Sequence, residues 1–179
     1  MSKQLEIDAV LANLKEFIRR NAHRAFFAPP AEDYELVYTC EMLRGLMPAS
    51  YRKFLKAYNG GFIAAQAEVI DDDFDFASEW WNSNVIFGTG RLMSAYHDIH
   101  ERFVKDIGYA EPWVYVPFCQ TLDQETLYFG PATDGKEMAV YDGFSESPPE
   151  EWTVIYPDFT ALLDDYVLKA GMIRTIGEF

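Results

Sequence analysis

Two cysteines, three histidines and no long apolar run mark what this chain of 179 residues lacks. Cys40 and Cys119 lie far apart with no metal-type spacing, so neither a disulfide framework nor a zinc ribbon is expected. No stretch approaches the roughly 20 apolar residues that a membrane-spanning helix needs. The start, Met1-Ser2-Lys3-Gln4-Leu5-Glu6, has no apolar core of a signal peptide. A reduced, cytoplasmic setting is the expectation. There is no Gly-x-Ser-x-Gly elbow. Gly88-Thr89-Gly90 lacks the third glycine and the Lys-Ser/Thr of nucleotide loops.

Basic residues are scarce, and unevenly so. Lys and Arg number 15 against 29 Asp and Glu, for a formal charge of −14. Residues 1–56 hold nine basic and seven acidic residues, whereas residues 57–179 hold six and twenty-two. No Lys or Arg occurs from Ala57 to Gly90 or from Glu137 to Leu168. Such a field repels nucleic-acid phosphates. It attracts a basic protein and speeds encounter. Solubility alone is the competing explanation of the same charge.

What the chain has is core. Hydrophobic residues make up 49% and aromatics 16% of it, which suits one folded domain rather than disorder. Ile7, Val10, Leu11, Leu14, Phe17 and Ile18 predict an amphipathic helix over about 5–21. Phe26-Phe27-Ala28-Pro29-Pro30 breaks it, and the two prolines start a connector. Residues 33–46 read two ways: Leu36-Val37-Tyr38 as a short strand, or Cys40-Glu41-Met42-Leu43 as helix.

The segment 46–61 is the most informative. Pro48 suits a first helical turn. Tyr51, Phe54, Leu55 and Tyr58 make one apolar stripe, and Asn59-Gly60-Gly61 ends the helix. Phe62–Ala64 and Ala67–Ile70 suggest a hairpin. Val85–Gly90 reads as a strand ending in a glycine turn. Leu92, Tyr96, Ile99 and Phe103 then set a helix over about 91–107, which Gly108 stops. Strands follow at Trp113–Phe118, Thr126–Phe129, Met138–Tyr141 and Trp152–Tyr156. Pro157-Asp158-Phe159 opens a last helix that Gly171 closes. The order implies a single α+β domain: an antiparallel-rich sheet with flanking helices.

Four candidate sites stand out. His97, His100 and Glu101 share a helix face, but the His-Asp-Ile-His-Glu order is not the zincin pattern and a third ligand would have to come from far away; a polar helix face is the plainer explanation. Asp71, Asp73 and Asp75 alternate as in an EF-hand loop, but Phe76 and Asn82 occupy the places of its Gly and Glu. No metal or cofactor is therefore assigned. Asp71, Asp72, Asp73 and Asp75, followed by Glu79, Trp80 and Trp81, combine carboxylates with aromatics as a docking patch would. Glu146, Glu150 and Glu151 around Pro148-Pro149 form a second acidic candidate. Core packing competes for the aromatics, with Phe74 and Phe76 among them. Cys119, in a β segment, is expected to be a buried inert thiol. No catalytic group emerges, and nothing in the sequence specifies an oligomeric state.

The pattern Leu46-x-Pro48-x-x-Tyr51-x-x-Phe54-Leu55-x-x-x-Asn59-Gly60-Gly61 resembles the signature of the SUKH superfamily. Val116-Pro117-Phe118 and Phe159-Thr160-Ala161-Leu162-Leu163 are similar to its later landmarks, as is the small-residue turn at Phe87–Gly90. Gln124-Glu125 stands where the family commonly has Gly-Asp. The likeness covers about residues 40–170, with 1–39 as an added helix and proline-containing connector. That superfamily consists largely of bacterial immunity proteins for polymorphic toxins and includes a fungal cell-wall regulator. The resemblance implies a non-enzymatic protein-binding domain whose partner is a cognate toxin, without nucleic acid or membrane. A regulatory or scaffold module of the same fold is the alternative.

Overall fold

The computed structural model describes residues 6–64, 83–133, 136–143 and 147–173. Its centre is a seven-stranded antiparallel sheet whose strands neighbour one another in chain order. The strands are β1 (Ala25–Phe27), β2 (Gly61–Ile63), β3 (Val85–Ile86), β4 (Val116–Gln120), β5 (Thr126–Gly130), β6 (Ala139–Gly143) and β7 (Thr153–Tyr156). Among the described residues five α-helices accompany them: α1 (Ile7–Arg20), α2 (Asp33–Met42), α3 (Ala49–Ala57), α4 (Thr89–His100) and α5 (Phe159–Leu168). Wider, π-type turns extend α4 over Glu101–Ile107 until Gly108 takes a left-handed φ of 89°. The chain is a single α+β domain.

Both faces of the central strands are covered, which explains their continuous apolar runs. On one face Tyr51 of α3 and Phe159 of α5 meet Phe118 and Phe129, and Phe54 of α3 packs on Phe159. Phe118 and Phe129 stack with ring centroids 3.8 Å apart. Tyr128 points the opposite way from its neighbour Phe129. It stacks on Trp152 at 4.3 Å, beside Trp113, Phe103 and Tyr115. Pro117 is tolerated in a central strand because the register shifts between Pro117 and Cys119, a bulge that removes the need for its N–H.

Several expectations change in the structure. Phe26 and Phe27 do not only break the helix before the connector: they form the edge strand β1, with Phe26 opposite Phe62. Three residues before Pro-Pro carry no readable period. Residues 33–42 are wholly helical, so Leu36-Val37-Tyr38 is not a strand. Glu32 and Glu35 exchange capping-box hydrogen bonds at the helix start, which favours the helix. Pro48 stands just before α3 as its cap residue rather than inside the first turn. Thr89 and Gly90 begin α4 instead of ending a strand, and β4 starts at Val116, not Trp113. The hairpin expected between Phe62–Ala64 and 67–70 has its second arm outside the described residues; β2 pairs with β1 and β3.

Candidate functional site

The segment that dominates the sequence builds one junction with the segment 87–89. Helix α3 carries Tyr51 into the core, where its hydroxyl donates to the Phe87 carbonyl at 2.5 Å. At the other end of α3, the Asn59 side chain reaches the start of α4. Its Oδ1 accepts from the Thr89 backbone N–H at 2.8 Å, and its Nδ2 donates to Thr89 Oγ1 at 3.1 Å. Asn59 thus caps a helix thirty residues away, whose own cap residue, Gly88, has no side chain to do so. Gly60, at φ 83°, lets the two backbones touch. A Cβ there would lie 2.3 Å from the Gly88 nitrogen, and one on Gly88 would lie 2.3 Å from the Asn59 carbonyl oxygen. Leu55 and Phe54 are fully buried on the same helix, and Leu46 packs against the core's edge. The second half of α3's support is also remote: Glu137 accepts from the Ser50 N–H at 2.8 Å and from its hydroxyl at 2.6 Å.

Beside this junction opens a groove of about 880 Å³. Phe26, Phe27, Phe62, Ile86 and Phe87 supply its apolar wall, with Asn59 and Arg91 at its polar side. The Arg91 guanidinium lies 4.6 Å over the Phe87 ring and donates to Gln120. Among the described residues, no carboxylate or histidine lines the groove.

The histidines fall into different settings. His97 is an exposed helix residue 3.8 Å from Glu101. His100 is mostly covered and lies 2.7 Å from Glu111, which also accepts from Arg44 at 2.9 Å and from the Trp113 N–H at 3.1 Å. These donors hold the Glu111 carboxyl below its usual range. Arg44 occupies a left-handed φ of 53° to reach it. His97 and His100 thus sit against different carboxylates, Glu101 and Glu111. Among the described residues no group of three histidine, cysteine or acidic side chains could hold a metal ion. Cys119 is completely buried, and burial pushes its thiol far above the ordinary range. A thiol so held does not ionise into a nucleophile.

Of the acidic candidates, Asp71, Asp72, Asp73, Asp75, Glu79, Trp80, Trp81 and Glu146 lie outside the described residues, as do Phe74 and Phe76. Glu150 and Glu151 stand exposed on a short 3₁₀ turn, Pro149–Glu151, anchored by buried Pro149 and Trp152. Glu150 accepts from the Tyr109 hydroxyl at 3.3 Å. Local desolvation and the charges of Glu150 and Glu151 push that phenol above its usual range, a sign of the negative field there.

The model of the SMI1 / KNR4 family (SUKH-1) matches residues 39–165. The chain belongs to that family. The match takes in α3, the Asn59–Thr89 junction and the sheet from β2 through β7, and stops within α5. No curated protein matches the chain. The α1 and β1 elements of this SUKH protein precede the match yet join its core through Val10, Leu14 and Ala25. Gln124, where the resemblance expects Gly-Asp, adopts a left-handed φ of 67°. The backbone there keeps a conformation that suits glycine, with a different side chain. The family comprises generally non-enzymatic immunity and regulatory proteins. No helix among the described residues is long and apolar enough to cross a membrane.

The cross-chain partners in this SUKH protein escape a sequence reading. Thr89, Glu137 and Glu111 each act on a residue thirty to eighty-seven positions away. Only a polar residue without a local task, such as Asn59 after a helix end, signals them.

Proposed function

We propose that this SUKH protein is an immunity protein that binds a cognate, positively charged toxin effector, such as a nuclease, and neutralises it by covering its active surface with carboxylates. The observation that carries this reading is the charge asymmetry. Residues 57–179 hold twenty-two acidic and six basic residues, while the rest of the chain is close to neutral. A nuclease must attract phosphate, so its active face is basic and meets this surface favourably. Close charge pairs across such an interface couple by about 1.5–7 kcal/mol, and the wider field raises the association rate. A family rich in immunity proteins supports the same reading.

The first interface is Asp71, Asp72, Asp73 and Asp75 with Glu79, Trp80 and Trp81; the second is Glu146, Glu150 and Glu151. The experiment co-expresses the toxin-like product of the neighbouring gene with this chain and follows growth. Association is measured in parallel at rising salt. Rescue of growth, with an association rate that falls steeply with salt, is expected. Replacing Asp71, Asp72, Asp73 and Asp75 together by Asn slows association at least tenfold. Unchanged affinity in the folded variant removes the first interface. Binding to a host protein without rescue makes the chain a regulatory module instead.

A further inference from the structure

Helix α2 is apolar on both sides. Leu36, Thr39 and Leu43 at its end face the core and are fully buried. Its other side leaves Tyr34 73%, Val37 49%, Tyr38 54% and Met42 47% exposed. The spacing i, i+3, i+4, i+8 makes these four one stripe along the helix. They expose on the order of 500 Å² of largely apolar area, the size of the largest patches on ordinary monomers. A stable dimer needs roughly 800 Å² from each partner, so the stripe supplies its centre and a polar rim the remainder.

We infer that this stripe is a homodimer interface, with α2 of a second copy packed antiparallel against it about a two-fold axis near Tyr38. Three observations select a second copy as the occupant. The first is charge: residues 32–56 hold four acidic and four basic residues, so this neutral face repels another chain of charge −14 far less than residues 57–179 do. A basic guest is drawn instead to residues 57–179. The second is self-complementarity. Asp33, 3.3 Å from Lys56, stands at the N-terminal end of α2, and Arg44, 2.9 Å from Glu111, just past its C-terminal end. With 1.5 Å of rise per residue, each lies about 8–9 Å from the axis, so a two-fold rotation brings each Asp33 to the height of the other copy's Arg44, opposite charges at each end. Antiparallel helix dipoles favour the same arrangement. The third is shape. A groove of about 390 Å³ opens beside Met42, between α2 and α4, with Met93 and buried Tyr96 in its wall. The rotation brings Tyr34 of the second copy to the height of Met42, where this groove receives it. Glu41, the one charge within the stripe, then faces that phenol and can accept from it.

Sedimentation of the whole chain from 1 to about 500 μM tests the inference. A reversible dimer with a dissociation constant in the micromolar range is expected. Salt should tighten it, because screening weakens the repulsion between two acidic bodies; binding of a basic guest shows the opposite trend. Tyr38→Glu and Val37→Glu should each raise the dissociation constant at least tenfold while leaving the melting temperature within a few degrees, since both side chains are half exposed. Mild oxidation of Tyr38→Cys should link two copies, whereas Tyr34→Cys, about 6 Å from the axis along the helix, should link poorly to itself. A chain that stays monomeric throughout, or a dimer that survives both glutamates, overturns the inference.

Discussion

Asn59 holds Thr89 with two hydrogen bonds, from its Oδ1 to the backbone N–H and from its Nδ2 to the hydroxyl. One side chain at the end of α3 thereby fixes the start of α4. Asn59→Ala should cost about 1–2 kcal/mol, the loss of a helix cap. Asn59→Asp should cost less, because a carboxylate accepts from Thr89 and favours the helix N-terminus. Urea unfolding of the three proteins measures the order.

Tyr51 docks on the same short segment, through the Phe87 carbonyl. Tyr51→Phe leaves that buried carbonyl unpaired, at about 1–3 kcal/mol. The two contacts share one rigid element, so the double variant with Asn59→Ala should differ from additivity by at least about 0.5 kcal/mol. Strict additivity in denaturant midpoints would show that the junction is not one unit.

Gly60 and Gly45 separate backbone strain from close approach. Both have φ near 80°, but only Gly60 has neighbouring backbone where a Cβ would go. Gly45→Ala should destabilise by about 1–2 kcal/mol, the cost of a left-handed alanine. Gly60→Ala should exceed it clearly, by at least about 2 kcal/mol, since Gly88 cannot yield without moving α4. The inverse change serves as a control at the family's departure point. Gln124→Gly, at φ 67°, should stabilise by up to about 1 kcal/mol.

Alkaline pH should weaken the fold well before it weakens ordinary acidic proteins. Burial raises Cys119, Tyr51 and Tyr166 well above their usual ranges, and Tyr128 to about 12. Each stays protonated in the native state while the unfolded chain ionises. The stability these groups contribute is complete below the unfolded pKa, near 8.5 for a thiol and 10 for a phenol. It falls as pH climbs from there toward the native value, by about 1.4 kcal/mol per pH unit and group. Cys119→Ala should flatten the first part of that decline. Alkylation at pH 8 should label half-buried Cys40 and spare Cys119 until the protein unfolds.

Much of the architecture is legible in the residues themselves. The stripes of α1, α3, α4 and α5 repeat every three or four positions over nine or more residues, long enough for period to be unambiguous. Turn residues bracket β4 to β7, so the meander follows from short connections. The edge strand β1 is not legible, because three residues hold no pattern; it exists through pairing with β2. The dual character of α2 is visible only as an ambiguity. Leu36 and Val37 are alike in sequence, yet one is buried and the other half exposed.

The sequence by itself determined composition-level properties: a single apolar core, a charge of −14 concentrated after residue 56, and the helix with its Asn-Gly-Gly stop. These depend on residue type and local spacing, which a linear chain displays. Tertiary structure alone decided that Asn59 serves α4, that Glu137 serves α3, and that Tyr34, Val37, Tyr38 and Met42 of α2 stand exposed. The physical reason is range. A hydrogen bond or a buried face is completed by whatever the fold brings within 3 Å, and partners thirty to eighty-seven residues apart leave no periodic trace along the chain.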